Sequence, residues 1–261
     1  MILNLNPKAI RQKLELIYTI TIAQMKSRYR KTFAGFLWVI LNPILTFWVQ
    51  ALIFKHVLKI NIENYYLFLL AGVIPWVFIT SSLTMTVGIF VSNRPTLMAF
   101  KIDPWVFLIS QLLDNFINFV VSYLILILIV DKTVFLNPWV IPLLMLTTFF
   151  LVVFAFFLSF LLATLNVFFR DTQFILSFVL GLAYFVTPIF YQKSLLPLNI
   201  QKLVDFNPLY IFIKPFQNLL WKFDVGLYWS SMLDAFGVMV LVSCVCLIYW
   251  RKKRNVLYFQ I

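Results

Sequence analysis

The sequence predicts an all-α integral membrane protein, and three observations carry that prediction. Hydrophobic residues fill 63% of the 261 positions and charged residues 11%, whereas a soluble domain keeps about a quarter of its residues charged to cover its surface. The mean hydropathy is +0.96. The apolar residues also gather into six stretches, each long enough to cross about 30 Å of hydrocarbon at about 1.5 Å per residue.

Residues 8–31 precede the first stretch. Leu14, Tyr18, Ile22, Met25 and Tyr29 recur there at spacings of four and three, with Lys and Arg between them. That pattern predicts an amphipathic helix, either lying in the headgroup plane or packing on a partner. The spans are expected at 33–54, 65–91, 104–130, 139–166, 173–192 and 227–250. In the first, Asn42-Pro43 falls near the middle, where proline removes a backbone hydrogen bond and kinks the helix. Residues 195–222 are apolar but carry Lys202, Asp205, Lys214 and three prolines. They read as short re-entrant or interfacial helices, not as a span. The expected organisation is an arm at 1–32, a six-helix membrane unit at 33–250 and a basic tail at 251–261.

The net charge of +12 is placed at the ends. Lys8, Arg11, Lys13, Lys26, Arg28, Arg30 and Lys31 stand before residue 32 against Glu15 alone, and Arg251–Arg254 close the chain. Basic ends flanking apolar helices follow the positive-inside rule, and they form no nucleic-acid footprint. With six spans, the side of the amino terminus also gains Arg94, Lys101 and Arg170. It then carries twice the cations of the other side, which has Lys55, Lys59, Lys132, Lys193, Lys202, Lys214 and Lys222. A seventh span would throw the Arg251–Arg254 cluster across the membrane. Both termini are therefore expected in the cytoplasm, and the polar, charged start of the chain has no leader pattern.

Resident catalysis is not expected. There is one histidine, His56, and no His, Cys or carboxylate pair has metal-ligand spacing. Cys244 and Cys246 sit about 200° apart around a helix and read as small apolar fillers. The six glycines never form G-x-x-x-x-G-K-[ST]. If ATP drives this protein, the nucleotide and its Mg belong to another polypeptide.

Four groups of residues are candidates for function. In the 92–103 loop, Pro95 can start a short helix that presents Leu97, Met98 and Phe100 between Arg94 and Lys101, a knob suited to a soluble groove. Arg170-Asp171 lies in the next cytoplasmic loop, either as a helix cap or as a mobile ion pair. Gln111, Asp114, Asn118 and Ser122 share one face of the third span, either as interhelical glue or along a water-filled path. Phe174, Phe178, Gly181 and Phe185 form a stripe on the fifth span, ending in Thr187-Pro188-Ile189-Phe190-Tyr191. Such rings can pack against lipid and neighbouring helices, or offer sugar rings a smooth surface.

These signals resemble a known family. Arg28-Tyr29-Arg30-Lys31, Ala34-Gly35-Phe36-Leu37-Trp38 and Leu41-Asn42-Pro43 resemble the start of type-2 ABC exporter permeases for polysaccharides and polyol phosphates. Gly72-Val73-Ile74-Pro75-Trp76 is similar to the second-span motif of that family. Asn166-Val167-Phe168-Phe169-Arg170-Asp171 is similar to its Asn-x-Phe-Phe-Arg-Asp signature. Thr187-Pro188-Ile189-Phe190-Tyr191, Leu196-Pro197 and Asn207-Pro208-Leu209 follow in order.

The resemblance implies a homodimer with two copies of a separate ATPase, exporting a lipid-linked polymer such as O-antigen, capsule or teichoic acid. It implies that the arm, with Arg28, Tyr29 and Arg30, and the 92–103 loop contact the ATPase. The first and fifth spans would line the channel, with Phe36, Trp38, Asn42, Phe174, Phe178, Phe185 and Tyr191 as lining candidates. The segment 195–222 would form short helices near the exit. The chain departs from the family pattern at Ile102-Asp103-Pro104-Trp105, where an aromatic-Pro-Arg run is common. A membrane transferase acting on polyprenyl-linked sugars is the competing reading, and it calls for clustered carboxylates or histidines in membrane-edge loops. Asp103, Asp171 and Glu63 are scattered.

Overall fold

The structure is a computed structural model, and it describes residues 7–29, 35–57, 62–100, 102–129 and 137–260, which form helices and connecting turns with no strand. Arg30 and Lys101 lie outside the described residues, as do the side chains of Tyr29, Phe36 and Asn42.

The elements run in this order. Helix α1 is Pro7–Tyr29. Gly35 then takes φ +51° to open a 3₁₀ turn, Gly35–Leu37, a conformation in which only glycine escapes a Cβ penalty. Helix α2, Trp38–Ala51, continues as a π-helical stretch, Leu52–Val57. Then come α3 (Tyr65–Thr86), α4 (Ile89–Ser92), α5 (Arg94–Phe100), α6 (Pro104–Ile129), α7 (Val140–Phe168) and α8 (Thr172–Val186). Two short helices follow, α9 (Leu198–Asp205) and α10 (Pro208–Leu220), and the chain closes with α11 (Val225–Gln260).

Among the described residues, four helices are long and apolar enough to cross a membrane: Tyr65–Thr86, Pro104–Leu128, Val140–Phe168 and Val225–Arg254. Two shorter apolar helices, Pro43–Lys55 and Thr172–Val186, correspond to the first and fifth expected stretches. The fifth ends at Val186, not at 192. The cause is Pro188, which pushes Thr187 out of the helical region to φ −79°, ψ 128°. The basic tail is not separate: α11 runs unbroken through Arg251–Arg254 for 36 residues, roughly 54 Å at helical rise.

Helix α3 is the centre of the bundle. It is apolar all round, so it is stable only where neighbours cover every side. Helices α6, α7 and α10 do so, leaving residues from Tyr65 to Thr86 largely buried. Helix α10 lies in the bundle between α3, α7 and α11. Pro208 at its first turn and the Asn207 side chain, which accepts from the Leu209 N–H at 3.0 Å, start it.

Helix α1 packs along α6, but not on the stripe the spacing suggests. Leu14 and Tyr18 are exposed, and Ile17, Thr21 and Met25 are buried. Both stripes have helical spacing. The buried one is selected by a polar match, since Ser110 donates to the Ile17 carbonyl at 3.2 Å and Thr21 reaches the Ser110 carbonyl at 3.3 Å.

Candidate functional site

The polar face of α6 closes on a cation from α1. One Arg28 guanidinium nitrogen lies 2.5 Å from Oδ2 of Asp114, whose side chain is 1% exposed. Gln111 donates to the same carboxylate oxygen at 3.3 Å, and Asn118 donates to the Asp114 carbonyl at 3.1 Å. Arg28 also donates to Asn115 at 3.3 Å and to the Met85 sulfur at 3.1 Å. Asn115 in turn donates to Ser82 at 3.4 Å. A charge this deep needs such company, because neither ion alone is tolerated away from water. The cluster ties α1, α3 and α6 at one end of the bundle. Sequence spacing finds the face formed by Gln111, Asp114 and Asn118, but it does not find Arg28, Asn115 or Met85. Asp114 Oδ1 is buried without a hydrogen-bond partner among the described residues.

Beside this cluster is a cavity of about 500 Å³ between α1, α2, α3 and α6. Trp38, Pro43, Phe47 and Phe78 supply apolar walls, and Arg28, Asn115 and Asn118 mark its polar end. Trp38, a lining candidate, therefore faces a space within one protomer.

The loop at the same end holds α5. Met98 is 52% and Phe100 73% exposed, and Arg94 is exposed, whereas Leu97 is 5% exposed. The expectation that Leu97 is presented outward is corrected, because a seven-residue helix on a bundle must turn one face inward. Asp103, where the chain departs from the family pattern, holds Lys13 of α1 at 2.7 Å, and Lys13 also lies over the Trp105 ring. Arm and loop are thus one connected surface.

Between α7 and α8, Arg170 and Asp171 are both exposed, and among the described residues they make no ion pair with each other. Asp171 occupies the N-cap position of α8 without a side-chain cap bond. Instead, the Thr172 hydroxyl donates to the Phe169 carbonyl at 2.6 Å. Asp171 thus takes the expected cap position without the side-chain bond, and the expected ion pair is not formed among the described residues.

Helix α8 turns its aromatic stripe away from the rest of the protomer. Phe174, Phe178 and Phe185 are 67%, 68% and 72% exposed, and a Cβ on Gly181, in the same stripe, would meet nothing within 4 Å. Only Leu176 and Leu180 of this helix are buried among the described residues.

At the opposite end from Arg28, the chain breaks its helix inside the bundle, where a carbonyl left without a donor is costly. The Tyr191 hydroxyl donates to the carbonyls of Phe185 and Val186 at 2.9 and 3.1 Å. Gln217 of α10 donates to the Pro188 carbonyl at 3.0 Å, and Tyr65 of α3 donates to that of Phe190 at 3.2 Å. Asn207 donates to the Thr187 hydroxyl at 2.9 Å. The Phe190 ring stacks on Phe54 at 4.4 Å and meets Tyr184 at 4.8 Å. Gly72 permits the approach: a Cβ there would lie 3.0 Å from the Gln217 amide and 3.2 Å from Ile189. Three sequence motifs, around Gly72, Pro188 and Asn207, thus meet in one place. Tyr191, expected to line a channel, spends its hydroxyl on capping α8.

Comparison with known proteins extends over the same residues. The profile of a family described as ABC-2 type transporter matches residues 15–221. The chain is 30% identical over 236 residues to a Myxococcus xanthus protein named O-antigen export system permease protein RfbA, covering 90% of this chain and 88% of that one. A Klebsiella pneumoniae protein of the same name is 28% identical over 232 residues, covering 87% of this chain and 88% of its own length.

Proposed function

The chain belongs to the ABC-2 type transporter family, and from that premise we propose that it is the permease subunit of an ATP-driven exporter of lipid-linked, O-antigen-like polysaccharide. Two copies form the channel, and two copies of a separate ATPase bind ATP and Mg. The chain crosses the inner membrane six times with both termini in the cytoplasm. The four long helices make four crossings, and α2 with its π stretch makes another. Helix α8 makes the last, its roughly 22 Å completed by the strapped segment 187–192. The amphipathic arm lies against the inner face, and α9 with α10 forms the outer re-entrant element.

The observation that carries this reading is the exposed stripe of Phe174, Phe178 and Phe185 on α8. A helix that buries only two residues in its own protomer presents its other face to something else. A second copy across a channel gives those rings a lumen to line, together with Phe36 and Asn42 of the first span. The cytoplasmic knob, Arg94, Met98, Phe100 and Lys101, with Tyr29 and Arg30 of the arm, is the proposed ATPase contact. The names of the relatives supply the cargo class, and the arrangement of cations supports the orientation.

The test is reconstitution in proteoliposomes with and without the partner ATPase, reading ATP hydrolysis and movement of a lipid-linked glycan. Translocation that needs both chains is expected. Sugar transfer by the isolated chain without ATP overturns export in favour of a transferase.

A further inference from the structure

We propose that the outer end of each protomer carries a binding site for a neutral saccharide, in a cleft of about 330 Å³ between the 187–195 reversal, the start of α3 and α10. The volume falls within the about 300–1,000 Å³ of small-molecule sites. This inference rests on the export reading, which makes this end the exit.

The walls have the two kinds of surface that a sugar needs. Phe68, Tyr191, Tyr210 and Trp221 line the cleft with ring faces and edges, against which the C–H face of a pyranose packs. Gln192, Gln217 and Asn218 bring amides to the same space, and their bonding leaves capacity for hydroxyls. The Gln217 N–H is committed to Pro188, and Asn218 donates to the Leu227 carbonyl at 3.1 Å and to Ser231 at 3.3 Å. Their amide oxygens remain as acceptors. Gln192 accepts from Ser194 at 3.3 Å, which leaves its N–H groups as donors. The Tyr210 hydroxyl adds a group that can donate or accept. Acceptors and donors therefore line the same cleft as the aromatic rings, the combination that a ring bearing several hydroxyls needs.

Charge selects the neutral class. Both cations of the cleft already have partners: Lys193 holds Asp205 at 2.5 Å, and Lys222 lies 3.4 Å from Glu63. Trp221 fixes that second pair by donating to the Glu63 carbonyl at 2.7 Å. A phosphate or uronate would have to compete with two carboxylates for these lysines, whereas a neutral hexose leaves both pairs in place. The 500 Å³ cavity at the other end also combines rings with Asn115 and Asn118, but its walls are mainly apolar and its polar end is an arginine held by Asp114.

The experiment is saturation-transfer NMR on the full-length chain in lipid nanodiscs, with methyl glycosides of the common neutral hexoses and a methyl glucuronide as the charged probe. Saturation of ring C–H protons is expected for at least one neutral glycoside and not for the glucuronide. In a Gln192→Ala, Tyr210→Phe double variant that stays monodisperse, binding should weaken about tenfold, as for one or two lost hydrogen bonds. No transfer to any neutral glycoside, undiminished transfer in the variant, or preference for the glucuronide overturns the site. The proteoliposome assay separates this outcome from the export reading. Translocation without glycoside binding removes the cleft alone, and glycoside binding without translocation removes the exporter.

Discussion

At the Arg28 end of the bundle a full charge is taken out of water. Asp114 is held by an arginine from another helix, and a break in that pair leaves an ion against apolar walls. At the opposite end the polar groups are a broken helix's own carbonyls, and those of Phe185, Val186, Pro188 and Phe190 are met by a neutral amide or hydroxyl from α3, α10 or the reversal itself. The first arrangement centres on one charged pair between elements far apart in sequence, with neutral donors and acceptors around it. The second spreads over several bonds that share the load. The difference matters for a transporter, because a single ion pair is an all-or-none joint, whereas a shared strap resists gradual loss.

The largest expected effect is therefore at Asp114. Asp114→Ala strands Arg28 beside the cavity and should cost about 3–5 kcal/mol, the range for removing one partner of a buried pair. Replacing both, with Arg28→Met and Asp114→Leu, should recover most of that loss, since no charge is left to desolvate. Thermal unfolding of both variants in the same detergent measures the difference. If the double variant is no more stable than Asp114→Ala, the joint is not electrostatic, and the contrast between the two ends fails.

A smaller effect is expected at Gly72. Gly72→Ala places a Cβ 3.0 Å from the Gln217 amide and forces it off the Pro188 carbonyl. Overpacking of this kind costs about 1–3 kcal/mol. Gln217→Leu leaves the same carbonyl unpaired, at about 1–3 kcal/mol. Because both act through one hydrogen bond, the double variant should be less destabilised than the two single effects combined. Full additivity in a double-mutant cycle would show that Gly72 and the strap are unrelated.

How much of this was legible follows from the kind of signal each feature leaves. The bounds of α6 and α7 sit within two residues of the apolar stretches that predict them, because a long apolar run has few alternatives. That residues 195–222 form short helices and not one long one was legible from their lysines and prolines. The true end of α8 was within reach, since Pro188 marks it, but the apolar run through Tyr191 hid it. Arg28 as the partner of Asp114 was not legible: the two residues are far apart in sequence, and a pair made by packing has no period. The choice between the Leu14–Tyr18 and Ile17–Thr21 stripes of α1 was hidden for the same reason. Only the surface of α6 decides it, through Ser110. Leu97 was misassigned because α5 is too short for its own pattern to show which side is covered.

The smallest effect on stability, and the one that bears on function, belongs to α5. Met98 and Phe100 are exposed, so Met98→Asp with Phe100→Asp should shift unfolding by no more than about 0.5 kcal/mol per site. The same substitutions should abolish co-purification of the ATPase, because a desolvated carboxylate in an apolar groove is heavily penalised. Lys13–Asp103 sharpens this result. That pair is half-exposed and is worth at most about 1 kcal/mol, yet it holds the arm to the loop that carries the knob. Asp103→Asn should leave the ATPase bound while weakening the coupling of ATP hydrolysis to transport, since only the connection between arm and loop is loosened. Loss of ATPase binding in Asp103→Asn, with binding retained in the Met98 and Phe100 variant, would reverse the roles and place the contact on the arm.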